Sequence, residues 1–477
     1  MLFNSLSFLI FFPIVVALYF ALPHRFRWIM LLIASYYFYM CWNYKYVVLI
    51  FVTTMINYLA GIGIAGTSSQ IQKRFYLAAG LITSFGILFF FKYFNFFSES
   101  INSALSNFNV FYKLPAFQVL LPVGISFFTF QTLSYTIDVY LNKQTVEKHF
   151  GLLALYVSFF PQLVAGPIER STNLLPQFFE KHEINYENFR DGLTIMLWGF
   201  FKKVVIADRL SEYVNLVYNH PAEFGGIHNV LATTFFSLQI YCDFSGYSDI
   251  AVGTALIMGF RLMRNFNRPY LSKSIAEFWR RWHISLSTWF RDYFYISIGG
   301  NRVSKWRWYF NLFATFLVSG LWHGANWTFV AWGSLHGFYL IFAIWTKKIR
   351  DKMNHLIFKQ NKKLLSISEV LITFILAWFS WIFFRANSIS DALLFIQNMF
   401  KPSYQAVNQF TFKADMFIAV LSVFILLIIE IFEERVSLLH KISTSKKQYK
   451  WGLVLLILSA IVILGKWDSI DFLYFQF

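Results

Sequence analysis

Two histidines, His323 and His336, lie in an apolar run at residues 317–338, LVSGLWHGANWTFVAWGSLHGF. A titratable imidazole inside hydrocarbon costs free energy that a purely structural helix avoids, so an intramembrane histidine is a functional hypothesis by default. A neutral imidazole in apolar surroundings is suited to act as a general base, which removes the proton from an attacking hydroxyl group. The alternative is a core histidine that donates a hydrogen bond to a neighbouring carbonyl.

A second stretch, residues 274–298, SIAEFWRRWHISLSTWFRDYFYISI, combines charged and aromatic residues at helical spacing. Its apolar side chains fall on one stripe, which predicts a single amphipathic helix lying at a membrane interface. Glu277 can pair with Arg280 or Arg281, three and four residues further on. Because Arg280 and Arg281 stand beside His283, they are also suited to hold an anionic donor such as a nucleotide-linked thioester. A solvated charged face is the simpler alternative.

A third stretch, residues 239–251, QIYCDFSGYSDIA, places Asp243 and Asp249 between apolar flanks and interrupts the apolar segment 230–260. Buried carboxylates must be paired, protonated or turned towards a cavity, so Asp243 is a candidate substrate contact. No histidine stands three or four residues from either aspartate, and a metal site is therefore not predicted. Structural pairing is favoured, and the candidate partners are Lys202, Lys203 and Arg209.

The composition is that of a polytopic membrane protein, because 57% of the 477 residues are hydrophobic and only 14% are charged. The net charge of +17 indicates cytoplasmic loops attracted to an anionic lipid bilayer, and it does not favour a nucleic-acid partner. The two cysteines, Cys41 and Cys242, suggest neither a disulfide framework nor a cysteine metal site.

Apolar stretches long enough for helices predict an all-α fold with about 11–12 transmembrane helices and additional re-entrant or interfacial helices. The stretch 306–346 is long enough for two helices, broken near Gly320 and Gly324 or near Gly333. Without a repeat or linker, residues 1–477 are interpreted as one membrane domain. The candidate helices are 7–22, 28–43, 46–65, 76–96, 117–141, 151–165, 190–207, 230–260, 306–346, 367–384, 414–432 and 451–466.

Five motifs are long enough to be specific: GPIER (166–170), FKKVVIADRL (201–210), YCDFSGYSDIA (241–251), FWRRWHISLSTWFRDYFYISIGGNR (278–302) and LWHGANWTFVAWG (321–333). Together they resemble the membrane-bound O-acyltransferase family, and most closely the membrane subunit of bacterial alginate and peptidoglycan O-acetyltransferases. The resemblance extends from about the first span to Trp345, while the last hundred or so residues resemble the family only in hydropathy.

The resemblance implies transfer of an acyl group to a hydroxyl, in a helical fold that surrounds a central tunnel. It implies that His323, in the WHG motif, is the essential catalytic residue and that His283, in the RWH motif, is the second one. The implied donor is a cytosolic thioester, acetyl-CoA, with no covalently bound cofactor and no metal. The implied acceptor is an extracytoplasmic polysaccharide, reached directly or through an SGNH-hydrolase-like acetyltransferase partner. The implied location is the bacterial cytoplasmic membrane, which the chain crosses several times.

Residues around His323 have predicted supporting roles. Asn326, three residues after His323, is placed to fix the tautomer of its ring. His336 lies 13 residues after His323, about 220° away on a straight helix, so the two rings face different directions unless the helix breaks. The tryptophans that would exclude water and protect the thioester from hydrolysis are Trp322, Trp327 and Trp332.

Two other functions remain open. D-alanyl transfer to teichoic acid resembles the same two histidine motifs but uses a carrier-protein thioester, and the chain length together with GGNR at 299–302 favours acetyl transfer. A non-enzymatic polysaccharide exporter or flippase is the alternative from another class, although the inverted repeats typical of many transporters are not visible in the sequence. The sequence does not choose between an acyl-enzyme intermediate and direct attack.

Overall fold

A computed structural model of the chain describes residues 1–108, 114–117, 121–358, 361–401, 413–435, 447–467 and 472–473. These described residues are predominantly helical and contain no β-strand, which confirms the predicted all-α fold. They form two compact units. Unit 1 contains Met1–Leu193 and Ile250–Met263, and unit 2 contains Thr194–Asp249 and Arg264–Leu473.

Unit 1 contains eight described helices in chain order. They are α1 (Leu6–Ala21), α2 (His24–Asn43), α3 (Val47–Ala65), α4 (Gln70–Leu88), α5 (Phe94–Asn107), α6 (Ile125–Tyr140), α7 (Phe150–Ser158) and α8 (Ser171–Gln177). Two further helices, α9 (Tyr186–Phe200) and α11 (Ile227–Ile257), contribute residues to both units.

A polar network joins three apolar helices of unit 1. Thr136 on α6 donates from Oγ1 to Oδ1 of Asn57 on α3 at 2.6 Å, and Asn57 donates from Nδ2 to Oγ of Ser84 on α4 at 2.9 Å. All three side chains are buried, so each bond removes the cost of an unsatisfied polar group. The network therefore fixes how α3, α4 and α6 pack together.

The buried carboxyl group of Glu169 lies just before α8. It accepts hydrogen bonds from the backbone N–H of Met263 and, at 2.7 Å, from Nδ2 of Asn173. Complete burial of the side chain raises the pKa of Glu169 to about 7, although the two hydrogen bonds and Arg170 oppose the shift. The folded state therefore binds more protons at this site than the unfolded chain between about pH 4.5 and 7.

Glu169→Gln is expected to reduce the loss of stability that wild type shows as pH rises from 5 to 8. A carboxyl whose folded pKa is raised destabilises the protein as it ionises, by up to about 3 kcal/mol for this shift, whereas glutamine cannot ionise. Thermal unfolding in detergent across this pH range measures the difference between variant and wild type. Glu180→Gln, at an exposed glutamate of the same unit, should parallel wild type, and a parallel profile for Glu169→Gln would contradict the assignment.

Unit 2 contains the remaining described helices. They are α10 (Asp208–Asn219), α12 (Ile275–Arg281), α13 (Ile284–Trp289), α14 (Lys305–His323), α15 (Trp327–Trp345), α16 (Lys347–Phe358), α17 (Lys362–Arg385), α18 (Ile389–Met399), α19 (Lys413–Arg435) and α20 (Lys447–Leu464). π-helical segments at Phe201–Ala207 and Phe290–Tyr295 extend α9 and α13.

Each of the predicted apolar stretches contains a described helix, as expected for a polytopic membrane protein, although the helix in 117–141 begins at Ile125 and the helix in 151–165 ends at Ser158. Among the described residues, five helical segments are long and apolar enough to cross a membrane by length and composition: His24–Ala65, Gln70–Asn107, Trp327–Trp345, Lys362–Arg385 and Asp415–Glu434. Leu6–Ala21 and Gln448–Leu464 are shorter apolar helices. The count of 11–12 spans and the central tunnel remain predictions.

The predicted interruption of segment 230–260 is wrong, because α11 runs unbroken through CDFSGYSD. Its carboxylates are paired as predicted: Asp243 lies 2.6 Å from Nζ of Lys203, and Asp249 lies 2.6 Å from Nζ of Lys202. A Cβ at Gly246 would lie only 2.8 Å from the carbonyl oxygen of Gly199, so glycine allows the neighbouring backbone to approach. Neutralised charge and close packing together keep the helix continuous.

Candidate active site

The long apolar stretch 306–346 is broken at Gly324, one of the positions predicted. His323 is the last residue of α14, and Asn326 begins α15 by accepting a hydrogen bond from the Thr328 backbone N–H at Oδ1, at 3.0 Å. Such a side-chain cap satisfies a donor at the start of a helix. The break places His323 at a helix end instead of inside a regular span.

The imidazole of His323 is enclosed by aromatic rings. Its side chain is only 3% exposed. The ring centroid lies 5.0 Å from Trp322, 5.0 Å from Trp332 and 5.2 Å from Phe384, each in an edge-to-face arrangement. The ring is therefore largely removed from bulk water.

His283 lies at a second break, which corrects the prediction of one helix over 274–298. Helix α12 ends at Arg281, and His283 has φ +42°, in the left-handed region that non-glycine residues rarely adopt. Its Nδ1 lies 3.1 Å from Oδ1 of Asn265, and the Ser285 backbone N–H donates to the same oxygen at 3.2 Å. These local contacts stabilise a turn that helical periodicity does not anticipate.

His283 is completely buried. Its ring lies edge-to-face with that of Phe244 on α11, with centroids 4.6 Å apart. This desolvation lowers the pKa of His283 well below that of a histidine in water, so its ring is neutral at physiological pH.

Trp322 brings the two predicted catalytic histidines together. Its ring centroid lies 5.0 Å from that of His323 and 6.0 Å from that of His283. Trp322 is 3% exposed, so the indole lies in the interior of unit 2 with both imidazoles. Two buried histidines on one indole form an arrangement suited to acid–base chemistry in a water-poor environment.

His336 has hydrogen bonds at both ring nitrogens. Trp279 donates from Nε1 to Nδ1 of His336 at 3.2 Å, and Nε2 lies 2.9 Å from Oγ of Ser380. Because that hydroxyl donates to the carbonyl of Ala377 at 2.7 Å, His336 must donate from Nε2. Trp332 separates the rings of His323 and His336, with centroids 5.0 Å and 4.9 Å from them. These bonds tie His336 on α15 to α12 and α17, and its predicted contact with substrate or donor stays a prediction.

Two supporting roles predicted around His323 are not those that the structure shows. The side-chain amide of Asn326 caps α15 and donates to the carbonyl of Asn387 at 3.0 Å. Neither bond reaches the ring of His323, so neither fixes its tautomer. Trp327 is 55% exposed, because it lies off the buried stripe formed by Thr328, Trp332 and His336 at four-residue spacing. The buried aromatic positions are instead Trp322 and Trp332.

The two candidate donor-binding arginines differ in their environment. Arg281 pairs with Glu277 at 2.7 Å, as predicted for residues four apart, and with Glu434 at 2.8 Å. Its charge is thus balanced within the protein. Arg280 is exposed, which leaves its guanidinium accessible to an anionic group.

Asp243 is bonded through both carboxylate oxygens. Oδ1 contacts Lys203, and Oδ2 accepts from the Leu473 backbone N–H at 2.9 Å. Lys203 also pairs with Asp208 at 2.8 Å. The carboxylate therefore stabilises packing, which was the favoured alternative to a substrate contact. Among the residues that the structure describes, no group of three or more histidine, cysteine or acidic side chains could hold a metal ion.

Sequence reasoning missed Asn265, which contacts His283 from 18 residues away. The available signal was NFNRPY at 265–270, two asparagines before a proline directly after a long apolar helix. Buried amides there need partners, but the sequence does not say which ones.

A helical chain with several membrane-length segments and two buried histidines on one tryptophan is a polytopic membrane protein with a candidate acid–base centre. The family model for the membrane-bound O-acyltransferases matches residues 148–389, just over half of the chain and all of the candidate site residues. The chain therefore belongs to the membrane-bound O-acyltransferase family and is an acyltransferase.

Three relatives represent two kinds of acyl transfer. A "probable alginate O-acetylase AlgI" from Pseudomonas aeruginosa is 41% identical over 84% of this chain and 75% of its own length. A peptidoglycan O-acetyltransferase from Helicobacter pylori is 38% identical over 77% of this chain and 73% of its length. A teichoic acid D-alanyltransferase from Bacillus subtilis is 29% identical over 56% of this chain and 69% of its length.

Proposed function

We propose that this acyltransferase moves acetyl groups from a cytosolic thioester, acetyl-CoA, to hydroxyls of an extracytoplasmic polysaccharide. The observation that carries the proposal is the pair of buried histidines on Trp322. Two relatives are named as O-acetylating enzymes of alginate and peptidoglycan, and each is similar over more than three quarters of this chain. Their names support the choice of acetyl as the transferred group and of a glycan as the acceptor.

In this proposal His323 is the general base. The acceptor oxygen attacks the thioester carbonyl carbon and its proton passes to His323. The carbon–sulfur bond then breaks, and the leaving thiolate takes that proton from the imidazolium of His323, which returns the ring to its neutral form. Such proton transfer contributes about 10²- to 10⁴-fold to the rate. Trp322 and Trp332 exclude water, which would otherwise compete with the acceptor hydroxyl for the thioester.

His283 and Arg280 have supporting roles in the proposal. His283, neutral and buried, orients the donor, polarises the thioester carbonyl or passes the proton onwards. Arg280, exposed at the last turn of α12, is suited to a phosphate group of the nucleotide donor. The proposal further locates the chain in the bacterial cytoplasmic membrane, where an SGNH-hydrolase-like partner accepts the acetyl group when transfer is indirect.

The donor distinguishes this proposal from D-alanyl transfer. Membranes of a bacterial host that produces the chain would be supplied with radiolabelled acetyl-CoA or radiolabelled D-alanyl carrier protein, and alkali-labile label on the glycan would be measured. We expect label from acetyl-CoA, and none from a matched host that lacks the chain. Label from the carrier protein alone would assign the chain to D-alanyl transfer.

D-alanyl transfer is the second candidate because a teichoic acid D-alanyltransferase is among the relatives. That similarity covers 56% of the chain, against 84% for the alginate O-acetylase. The exporter alternative is set aside, since the family to which the chain belongs consists of acyltransferases.

A further inference from the structure

We infer that Asn265 is a positioning residue, which holds the ring of His283 in the tautomer with its proton on Nδ1 and its lone pair on Nε2. The inference rests on the proposed function for its catalytic meaning, and on hydrogen-bond geometry for the tautomer itself. Asn265 lies outside the two histidine motifs and is not adjacent to either histidine in the sequence.

The orientation of the Asn265 amide is fixed by a neighbouring group that can only donate, the backbone N–H of Ser285. The backbone N–H of Ser285 points to Oδ1 at 3.2 Å, and a backbone N–H has no lone pair with which to accept. At the other end of the amide, Nδ2 donates to Oγ of Ser248 at 3.1 Å. The atom that faces His283 is therefore the amide oxygen, an acceptor.

An acceptor beside Nδ1 requires a proton on Nδ1. The distance from His283 Nδ1 to Asn265 Oδ1 is 3.1 Å, within hydrogen-bond range, and two lone pairs facing each other at that distance would repel. In a neutral imidazole the other nitrogen then carries the lone pair. The ring is neutral because it is fully buried.

Backbone hydrogen bonds hold residues 265–267 beside residues 281–284. The Ile284 N–H donates to the carbonyl of Asn265 at 2.8 Å, and the Asn267 N–H donates to the carbonyl of Arg281, also at 2.8 Å. These two bonds lie on either side of His283 and accompany its left-handed conformation. Asn265 thus contributes both main-chain and side-chain contacts to one turn.

The tautomer selects among the roles open to His283. With its lone pair on Nε2, the ring can accept a proton or a hydrogen bond from a hydroxyl or thiol. It cannot donate from Nε2 to a thioester carbonyl. The structure therefore favours proton acceptance over polarisation of the donor carbonyl.

The test reads the tautomer directly in the full-length protein, solubilised in detergent and labelled with isotopic nitrogen in histidine. Nitrogen NMR separates protonated from unprotonated ring nitrogens, and a His283→Gln spectrum assigns the His283 signals among the ten histidines. We expect the proton on Nδ1 in wild type and in Asn265→Asp, which keeps the accepting oxygen. In Asn265→Ala we expect a mixture of both tautomers.

Kinetics give the second readout. Asn265→Ala should lower kcat by about 10- to 100-fold, by analogy with the loss of a hydrogen-bond partner that orients a metal-ligating imidazole, with KM for acetyl-CoA changed less than about twofold. Asn265→Asp should recover most of kcat. The matched control is Asn267→Ala, two residues further on, which bonds to the carbonyl of Arg281 through its backbone N–H and keeps that bond in the variant; its kcat should stay within about twofold of wild type.

Three results would overturn the inference: a wild-type proton on Nε2, an unchanged Nδ1 proton in Asn265→Ala, or equal kcat for Asn265→Ala and Asn267→Ala. If Asn265→Ala fails to fold, the wild-type and Asn265→Asp spectra still decide. Because NMR needs no turnover, absence of acetyl transfer from any donor would reject the proposed function while the tautomer remained measurable.

Discussion

A His323→Ala variant is expected to lose acyl transfer by at least about 100-fold while still folding and inserting. Removal of a general base raises the barrier by about 3 to 5 kcal/mol, which corresponds to the 10²- to 10⁴-fold contribution of such catalysis. His323 lies at a helix end, so truncation of its side chain leaves the α14 hydrogen bonds intact. His323→Gln, which keeps most of the volume, should lose as much.

The measurement is the initial rate of acetyl transfer per amount of folded protein in detergent. The matched control is His228→Ala, because His228 is also buried in unit 2 and bonds to the hydroxyl of Tyr213 at 2.9 Å. That variant should lose stability but keep its specific activity. If His323→Ala keeps the wild-type rate, His323 is not the base.

Replacing His283 should cause a smaller loss than replacing His323. If His283→Ala alone, His323→Ala alone and the double variant all lose the same factor, the two rings act as one unit. Their shared contact with Trp322 makes that comparison informative.

Predictions that depend on local pattern agree with the structure. The apolar runs in the sequence correctly predicted the positions of helices. A helix that packs against others or crosses a membrane needs a continuous apolar surface. Gly324 predicted the break after His323. The cost of burying a lone carboxylate predicted that Asp243 has a basic partner, and the sequence left Lys202, Lys203 and Arg209 open as that partner. The structure shows that it is Lys203.

Predictions that depend on contacts between distant residues were less accurate. Helical periodicity treats 274–298 as one helix, because it cannot register the hydrogen bonds from Asn265 that stabilise a left-handed residue at His283. Asn326 was assigned to His323 by sequence proximity, yet the helix ends between them and the amide caps α15. A tertiary contact decided the first position and a local helix cap decided the second.

The second large effect is expected at the crossing of α14 and α15. A Cβ at Gly320 would lie 3.1 Å from the Cα of Gly333 and overlap the Phe329 carbonyl oxygen; a Cβ at Gly333 would overlap the carbonyl of Phe316. All of these obstructing atoms are backbone, which cannot rotate away as a side chain can. Small residues at such crossings let membrane helices approach closely.

Gly320→Ala and Gly333→Ala are each expected to destabilise unit 2 by about 1–3 kcal/mol or more through overpacking. Separation of the helices would also move His323 and Trp332, which flank the crossing, so activity should fall with stability. Thermal unfolding in detergent and specific activity give the two readouts.

Gly452→Ala on α20 is the matched control, because its added Cβ meets nothing within 4 Å. There the same substitution should stabilise the helix by about 0.5–1 kcal/mol, since alanine loses less conformational entropy on folding than glycine. The change in stability is thus expected to have opposite signs at the crossing and at Gly452, because only the crossing glycines lie against neighbouring backbone. Destabilisation of equal size at Gly452 would show that the effect is general for glycine in helices and does not arise from this crossing.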